Sequence, residues 1–424
     1  MASHNSWLSR RVHPQVQRAL PAISASLASR DSEDVIDLNI AENRLMHSAV
    51  LSLSKAVIAE QLGSEALSYP RGFGGQPELL SAFASFFNTY FNPDVAVEPY
   101  HVVAGPGATA CLVNLLCSIC DHGTAVIVPG PYWNGFDVHL TLLPGVHLVS
   151  LDPDLGGKDA MDTGLDDLLD QSLRASELWG KEVRAVLITN PHNPSGRCYS
   201  VEALAMAARF CEKHALHLIV DEIYAMSPVH QSSPGQDGFT SILALDMRAL
   251  GVDPARVHVV WSTSKDFGCS GYRVGAVVSQ ANPAVRASLG LLNTTQISSL
   301  AANVTAGMLS SPQLPCLMAQ GTRKLRQSYS QITAWLEAHN FTYVPVTGGI
   351  CILARLAPHA QSWEDEAAIV QKIKAAGVVV GAGRTYHLRE HEKGWCRLVF
   401  AVPSSVLKAA LCRMEVAMGL TSLE

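Results

Sequence analysis

Charge is scarce in this chain. Only 16% of its 424 residues are Asp, Glu, Lys or Arg, whereas 48% are hydrophobic. Disordered chains show the reverse balance, so the composition excludes wholesale disorder and implies a substantial core. Blocks of basic residues are missing as well. Lys and Arg number 31 and Asp and Glu 37, a net charge of −6, which argues against nucleic acid as a partner. No apolar run reaches membrane-spanning length, so no membrane partner is expected. The N-terminus, MASHNSWLSRRVHPQVQRAL, lacks the apolar core of a secretion signal. A cytoplasmic location follows, with organelle import as the alternative because no acidic residue precedes Asp31. Cysteine pairs are lacking too. The ten cysteines are scattered, mostly inside apolar segments, which suits cytosolic free thiols better than a disulfide framework. One C-x-x-C, Cys117 and Cys120, lies in the apolar run LVNLLCSIC with no second pair suitably spaced. It reads as core packing rather than a zinc or redox site, and no metal is expected. Internal repeats and low-complexity segments are absent.

The length suits one large two-part enzyme or two to three ordinary domains. From about residue 100 to 290, apolar strands alternate with helices, which predicts a mainly parallel sheet covered by helices on both faces. Strands are expected at 101–104, 125–128, 146–151, 183–189, 216–220 and 257–261. The C-terminal part predicts a long helix over 314–339, strands at 341–345, 350–356 and 378–381, and a helix at 365–376. Residues 1–34 read as an arm or short helix, followed by a short apolar piece over 37–41.

The most informative stretch is VVWSTSKDFGCSGYRVG, residues 259–275. A buried strand runs into a small-residue turn carrying Ser262, Ser264 and Lys265, with Arg273 eight residues on. Burial lowers the pKa of an amine and makes it a nucleophile. Two hydroxyls and a guanidinium beside it suit a phosphate. A surface turn with a solvated lysine is the bland alternative. Elsewhere, Gly107, Ala108 and Thr109 open a helix after a strand, an arrangement whose free amides bind anions. Trp133, after Tyr132, offers a flat face beyond a strand end. Asn193 lies in NPHNPSG, a turn with few structural reasons to repeat Asn-Pro; His192, between the two asparagines, reads as incidental. Asp221, in D-E-I-Y, ends a buried strand, where a carboxylate faces the ligand crevice of an open α/β sheet.

These motifs resemble fold type I pyridoxal-phosphate enzymes, the class I and II aminotransferase family. The form S-K-D-x-G-x-x-G-[FY]-R-V-G, with Ala41-Glu42-Asn43, is especially similar to the branch containing 1-aminocyclopropane-1-carboxylate (ACC) synthase. The resemblance implies an α/β fold with a large, mainly parallel seven-stranded-type domain and a smaller α/β domain formed by both chain ends. The expected spans are 1–67 for the N-terminal arm and part of the small domain, 68–312 for the large domain and 313–424 for the C-terminal small domain. It implies pyridoxal 5'-phosphate as cofactor, a small amino-acid substrate and a homodimer with a shared active site. Lys265 would carry the cofactor, Asp221 would face its ring nitrogen, and Asn193 and Tyr224 its phenolic oxygen. Trp133 would stack on the ring. Gly107, Ala108, Thr109, Ser262, Ser264 and Arg273 would surround the phosphate. Arg397, in GWCRLVFA, would grip the substrate carboxylate, and Glu42 would lie near its amino group; a capping role for Asn43 is the alternative there. In SYPRGFGG, ahead of a helix starting at Pro77, relatives place a tyrosine that reaches the partner subunit's phosphate. Tight alignment selects Phe73 and one insertion selects Tyr69.

The motifs up to the substrate carbanion are shared by several reactions. The ACC synthase-like signature points to loss of a sulfur leaving group. Phe73 in place of tyrosine and Val402 in place of asparagine point to a substrate other than S-adenosylmethionine. Fungal carbon–sulfur lyases of the gliotoxin type resemble this branch. The expected reaction is β- or γ-elimination on a sulfur-substituted amino acid in secondary metabolism. An aminotransferase is the alternative and ACC synthase the third reading. A catalytically inactive regulator is disfavoured by the presence of Lys265, Asp221 and Arg397.

Overall fold

A computed structural model describes residues 8–9, 11–28, 34–151, 159, 161–230, 238–294 and 296–421. The arm expected over 1–34 is covered in part, by a helix at His13–Ala28; residues 1–7, 10 and 29–33 lie outside the described residues. The first strand, β1 (Ile36–Asp37), belongs to a layer built from both chain ends. The next seven form the central sheet: β2 (Val102–Gly105), β3 (Ala125–Ile127), β4 (His147–Val149), β5 (Val183–Thr189), β6 (His217–Asp221), β7 (Val257–Ser262) and β8 (Gly275–Val278). Their order is β2-β8-β7-β6-β5-β3-β4. Strands β3 to β7 are parallel, and β8 runs antiparallel between β2 and β7.

The continuous Val/Ile/Leu runs of these strands are explained by burial on both faces. Alternate residues point to opposite sides. Val126, Ala185, Leu187, Ile219, Val260 and Val277 pack under the helices Ala108–Ile119 and Pro283–Asn293. Ile127, Val186, Ile188, Leu218, Val220 and Val259 pack under Leu165–Leu178, Val201–Lys213 and Pro77–Tyr90. Pro77 opens its helix, as its missing N–H permits.

A second core joins Leu38, Ala41 and Leu45 to residues beyond 325. Here β9 (Cys351–Arg355), β11 (Gly381–Ala382) and β12 (Trp395–Val399) form an antiparallel sheet, and β10 (Val378–Val379) pairs with β1. The helix Leu314–Ala338 starts on the central core, at Leu314 and Leu317, and ends in the second, at Ile332, Trp335 and Leu336.

Several expectations need correction. The strand expected at 378–381 splits in two because β10 and β11 pair with different partners. The strand at 341–345 reduces to one bridge, Tyr343 with Ala354. The short apolar piece expected over 37–41 begins where β1 ends: Asp37 Oδ1 accepts from the amides of Asn39 (2.6 Å) and Ile40 (2.8 Å) and turns the chain. The antiparallel β8 and the helices Leu165–Leu178 and Ser404–Met418 were not anticipated. Of the C-x-x-C pair only Cys120 is buried and Cys117 is exposed; both are free thiols. Among the described residues no helix is long and apolar enough to cross a membrane.

Candidate active site

The C-terminal ends of β5, β6 and β7 open into a cavity of about 320 Å³ where the two cores meet. Such a crevice is where an open α/β sheet takes its ligand. Ten predicted residues line it: Ala108, Thr109, Trp133, Asn193, Asp221, Tyr224, Ser264, Lys265, Arg273 and Arg397.

Lys265 sits on the single helical turn Thr263–Asp266 that follows β7. Its Nζ donates to the carbonyl of Ala41 at 2.5 Å. Burial pushes its amine down to about 8, and the charge of Arg397 adds to the effect, against the opposing pull of Glu42 and Asp221. Asp221 ends β6. Burial raises its carboxyl to about 7, although the Ile223 amide and the charge of Lys265 oppose the shift. Its Oδ1 is buried without a partner. Tyr224 is buried beside it, and burial raises its phenol.

Arg397 comes from β12 and is buried. Nη1 donates to Asn193 Oδ1 at 2.9 Å, Nη2 donates to the carbonyl of Asn39, and Nε is buried without a partner. The guanidinium lies over the Tyr386 ring, 4.5 Å from its centroid, a cation–π contact that fixes its plane.

Arg273 adopts a left-handed backbone, with φ 53°. Its Nη1 donates to Ser270 O at 2.8 Å and its Nη2 to Pro106 O at 3.2 Å. Gly107 has φ 89°, and a Cβ there would lie 2.4 Å from Arg273 Nη2, so only glycine admits the guanidinium. No side chain caps the helix that starts at Ala108, so its first amides are available to an anion.

The other predicted residues lie outside the cavity walls. Ser262 is buried and its hydroxyl accepts from the Ser264 amide at 3.2 Å, capping the lysine turn. Glu42 accepts from Ser270 Oγ at 2.8 Å. Asn43 makes no helix cap; its side-chain amide donates to the Asp266 carbonyl at 3.3 Å. Tyr69 and Phe73 are exposed on the outer surface, at 85% and 58%, with Phe73 packed over Gly290. Sequence reasoning missed Asn39, Ile40, Phe136, Ser270 and Tyr386, which also line the cavity. Ser270 lay inside the quoted lysine segment, whereas nothing in the sequence marks Tyr386.

The site fits pyridoxal 5'-phosphate. The unpartnered buried oxygen of Asp221 suits a protonated ring nitrogen. Arg273 packed on Gly107 and the uncapped helix N-terminus at Ala108 suit a phosphate. Fold and site together define a fold type I pyridoxal-phosphate enzyme. The family model "Aminotransferase class I and II" matches residues 33–414, and the chain belongs to that family. It is 39% identical, over 99% of this chain and 100% of the relative, to the protein named "Probable aminotransferase aclI" of Aspergillus oryzae. It is 36% identical, over 91% and 89%, to "Probable aminotransferase gliI" of Aspergillus fumigatus. The structure of a Thermus thermophilus aspartate aminotransferase mutant superposes with a TM-score of 0.76 at 22% identity, covering 98% of this chain and 100% of that one.

Proposed function

We propose that this family member catalyses β- or γ-elimination on a sulfur-substituted amino acid, a carbon–sulfur lyase reaction. The observation that carries the reading is the Glu42–Ser270 pair. The two segments that resemble the ACC synthase-like branch, A-E-N and S-K-D-F-G-C-S-G-Y-R, lie far apart in the chain. They meet through the 2.8 Å bond between these side chains, and the charge of Glu42 reaches Lys265.

In this reading Arg397, preorganised by Asn193, Asn39 and Tyr386, holds the substrate α-carboxylate through a charge-assisted fork. Lys265, with its lowered pKa, takes the α-proton onto Nζ. The bound cofactor supplies an electron sink for the charge left on the α-carbon. Asp221 keeps the ring nitrogen protonated, and Asn193 and Tyr224 hold the phenolic oxygen. Arg273, Ser264, Thr109 and the amides after Gly107 hold the phosphate, while Trp133 covers the ring. The thiolate then leaves with the electrons of the C–S bond.

Transamination is the second reading, favoured by the relatives' printed names. The two separate in a panel of amino acids, including cysteine S-conjugates and S-adenosylmethionine, with no oxo-acid acceptor. Continued turnover with release of a thiol is the expected result. A single turnover that stalls with the amino group left on the enzyme would overturn elimination.

A homodimer places an exposed aromatic of one subunit against the other's phosphate. Of the two candidates, Tyr69 is the more exposed and carries the hydroxyl. Tyr69→Phe is expected to raise the cofactor dissociation constant roughly 10-fold, the cost of one charge-assisted hydrogen bond, with the dimer intact by ultracentrifugation. No change would select Phe73 instead.

A further inference from the structure

We propose that His192 is a positioning residue that ties the loop carrying Trp133 to the loop carrying Asn193, and so sets the slot between them. The inference rests on the reading above, in which the cofactor ring sits against both. Asn193 follows His192 directly, and Trp133 follows Pro131 by two residues. The imidazole is buried, and both its nitrogens are used. Nε2 lies 2.8 Å from the carbonyl oxygen of Pro131. A carbonyl only accepts, so Nε2 carries the hydrogen. Nδ1 lies 2.7 Å from Ser195 Oγ and accepts from that hydroxyl.

The backbone reinforces the tie. The His192 amide donates to Arg197 O at 2.7 Å, and the Gly196 amide donates to His192 O at 2.8 Å. The Asn193 loop is therefore closed on itself around the histidine. Across the gap, the Tyr132 amide donates to Tyr386 O at 3.0 Å. The Trp133 loop is thus held on one side by the residue beneath Arg397 and on the other by His192. Among the described residues no carboxylate acts on the ring; the charge that does is Arg197, itself paired with Asp159 at 2.5 Å. Burial, with Arg197 adding to it, pushes the imidazole down to about 4, although the bond to Pro131 opposes the shift. The tie therefore stays neutral, and intact, across the working pH range.

The test follows the visible absorption band of bound pyridoxal 5'-phosphate and its dissociation constant in the purified enzyme. His192→Phe keeps a flat aromatic ring, somewhat larger than the imidazole, and removes both bonds. It is expected to shift the band and weaken cofactor binding about 10-fold or more. His192→Gln, which can still donate to Pro131, recovers most of the loss. Ile332→Val, in the second core, serves as the destabilised control that leaves band and affinity alone. If His192→Phe does not fold, Ser195→Ala removes one partner and gives a smaller shift of the same sign. A wild-type band that neither variant moves beyond the Ile332→Val control overturns this inference alone. A wild-type protein that shows no band overturns the cofactor reading itself, and this inference with it.

Discussion

Lys265→Ala is expected to lower turnover on the order of 10⁴-fold, the upper end of what a positioned acid–base group contributes. The expectation rests on where the amine is held. The turn after β7 is capped by Ser262 and leaves Nζ against Ala41 O at 2.5 Å, within the cavity. Burial, with the charge of Arg397 adding to it, brings the amine to about 8 from an ordinary 10.5, so roughly a tenth is free base at pH 7, against well under about a thousandth for an ordinary lysine. In the proposed reading, removing it takes away the base and the point of covalent attachment. It does not remove a folding element, because the cap on the turn belongs to Ser262 and the core contacts to its neighbours. Two measurements check this. After borohydride reduction, the peptide carrying residue 265 keeps the cofactor mass in the wild type and loses it in the variant. In cofactor-free wild type, labelling of Lys265 by an amine-selective reagent rises through about pH 8. Surviving turnover, or labelling that rises only near pH 10, would sink the assignment of Lys265.

Much of this site was legible in the sequence because four of its residues follow or close a strand. Asp221 closes β6, Lys265 follows β7, Asn193 follows β5 and Gly107 follows β2. Apolar runs broken by turn residues mark strand ends well, and in a parallel sheet those ends share one rim. The second core was harder to read. Its strands are short: β1, β10 and β11 have two residues each. Pairing there depends on which distant segment arrives, and a run such as 378–381 gives no hint that it serves two partners. Tyr386 illustrates the same limit. Its role under Arg397 depends on a loop folding back against β12, and no local pattern encodes that approach. His192 reads as incidental in the sequence, because its partners, Ser195 and the Pro131 carbonyl, are known only once two loops are side by side.

Asp221→Asn is the other large effect, with activity falling on the order of 10²–10³-fold, as for loss of a preorganised electrostatic partner. It also gives a stability readout that needs no substrate. In the cofactor-free protein burial raises the Asp221 carboxyl to about 7 from 3.8, and the Ile223 amide and the charge of Lys265 do not cancel the rise. The folded chain therefore keeps a proton that the unfolded chain has already released. Stability from this group is full below about pH 4 and is lost as pH rises through about 7. Glu222 and Asp266 behave in the same way, at about 8 and about 7. The buried His192 and His258 run the opposite way below 6.5, since their lowered pKa values favour the folded state as pH rises. The total curve mixes these contributions, but the difference between Asp221→Asn and wild type isolates one, because asparagine is neutral at every pH. Without cofactor, the variant should gain on the wild type as pH is raised from 5 to 7, by about 1.4 kcal/mol per pH unit at the steepest. Adding pyridoxal 5'-phosphate should then stabilise the wild type more than the variant at pH 8, because only the wild type offers a carboxylate to the ring nitrogen. Thermal unfolding at several pH values, with and without cofactor, reads both differences. A difference that stays flat with pH would mean that Asp221 is already ionised and paired in the cofactor-free chain, and that its orphaned oxygen is not waiting for the ring.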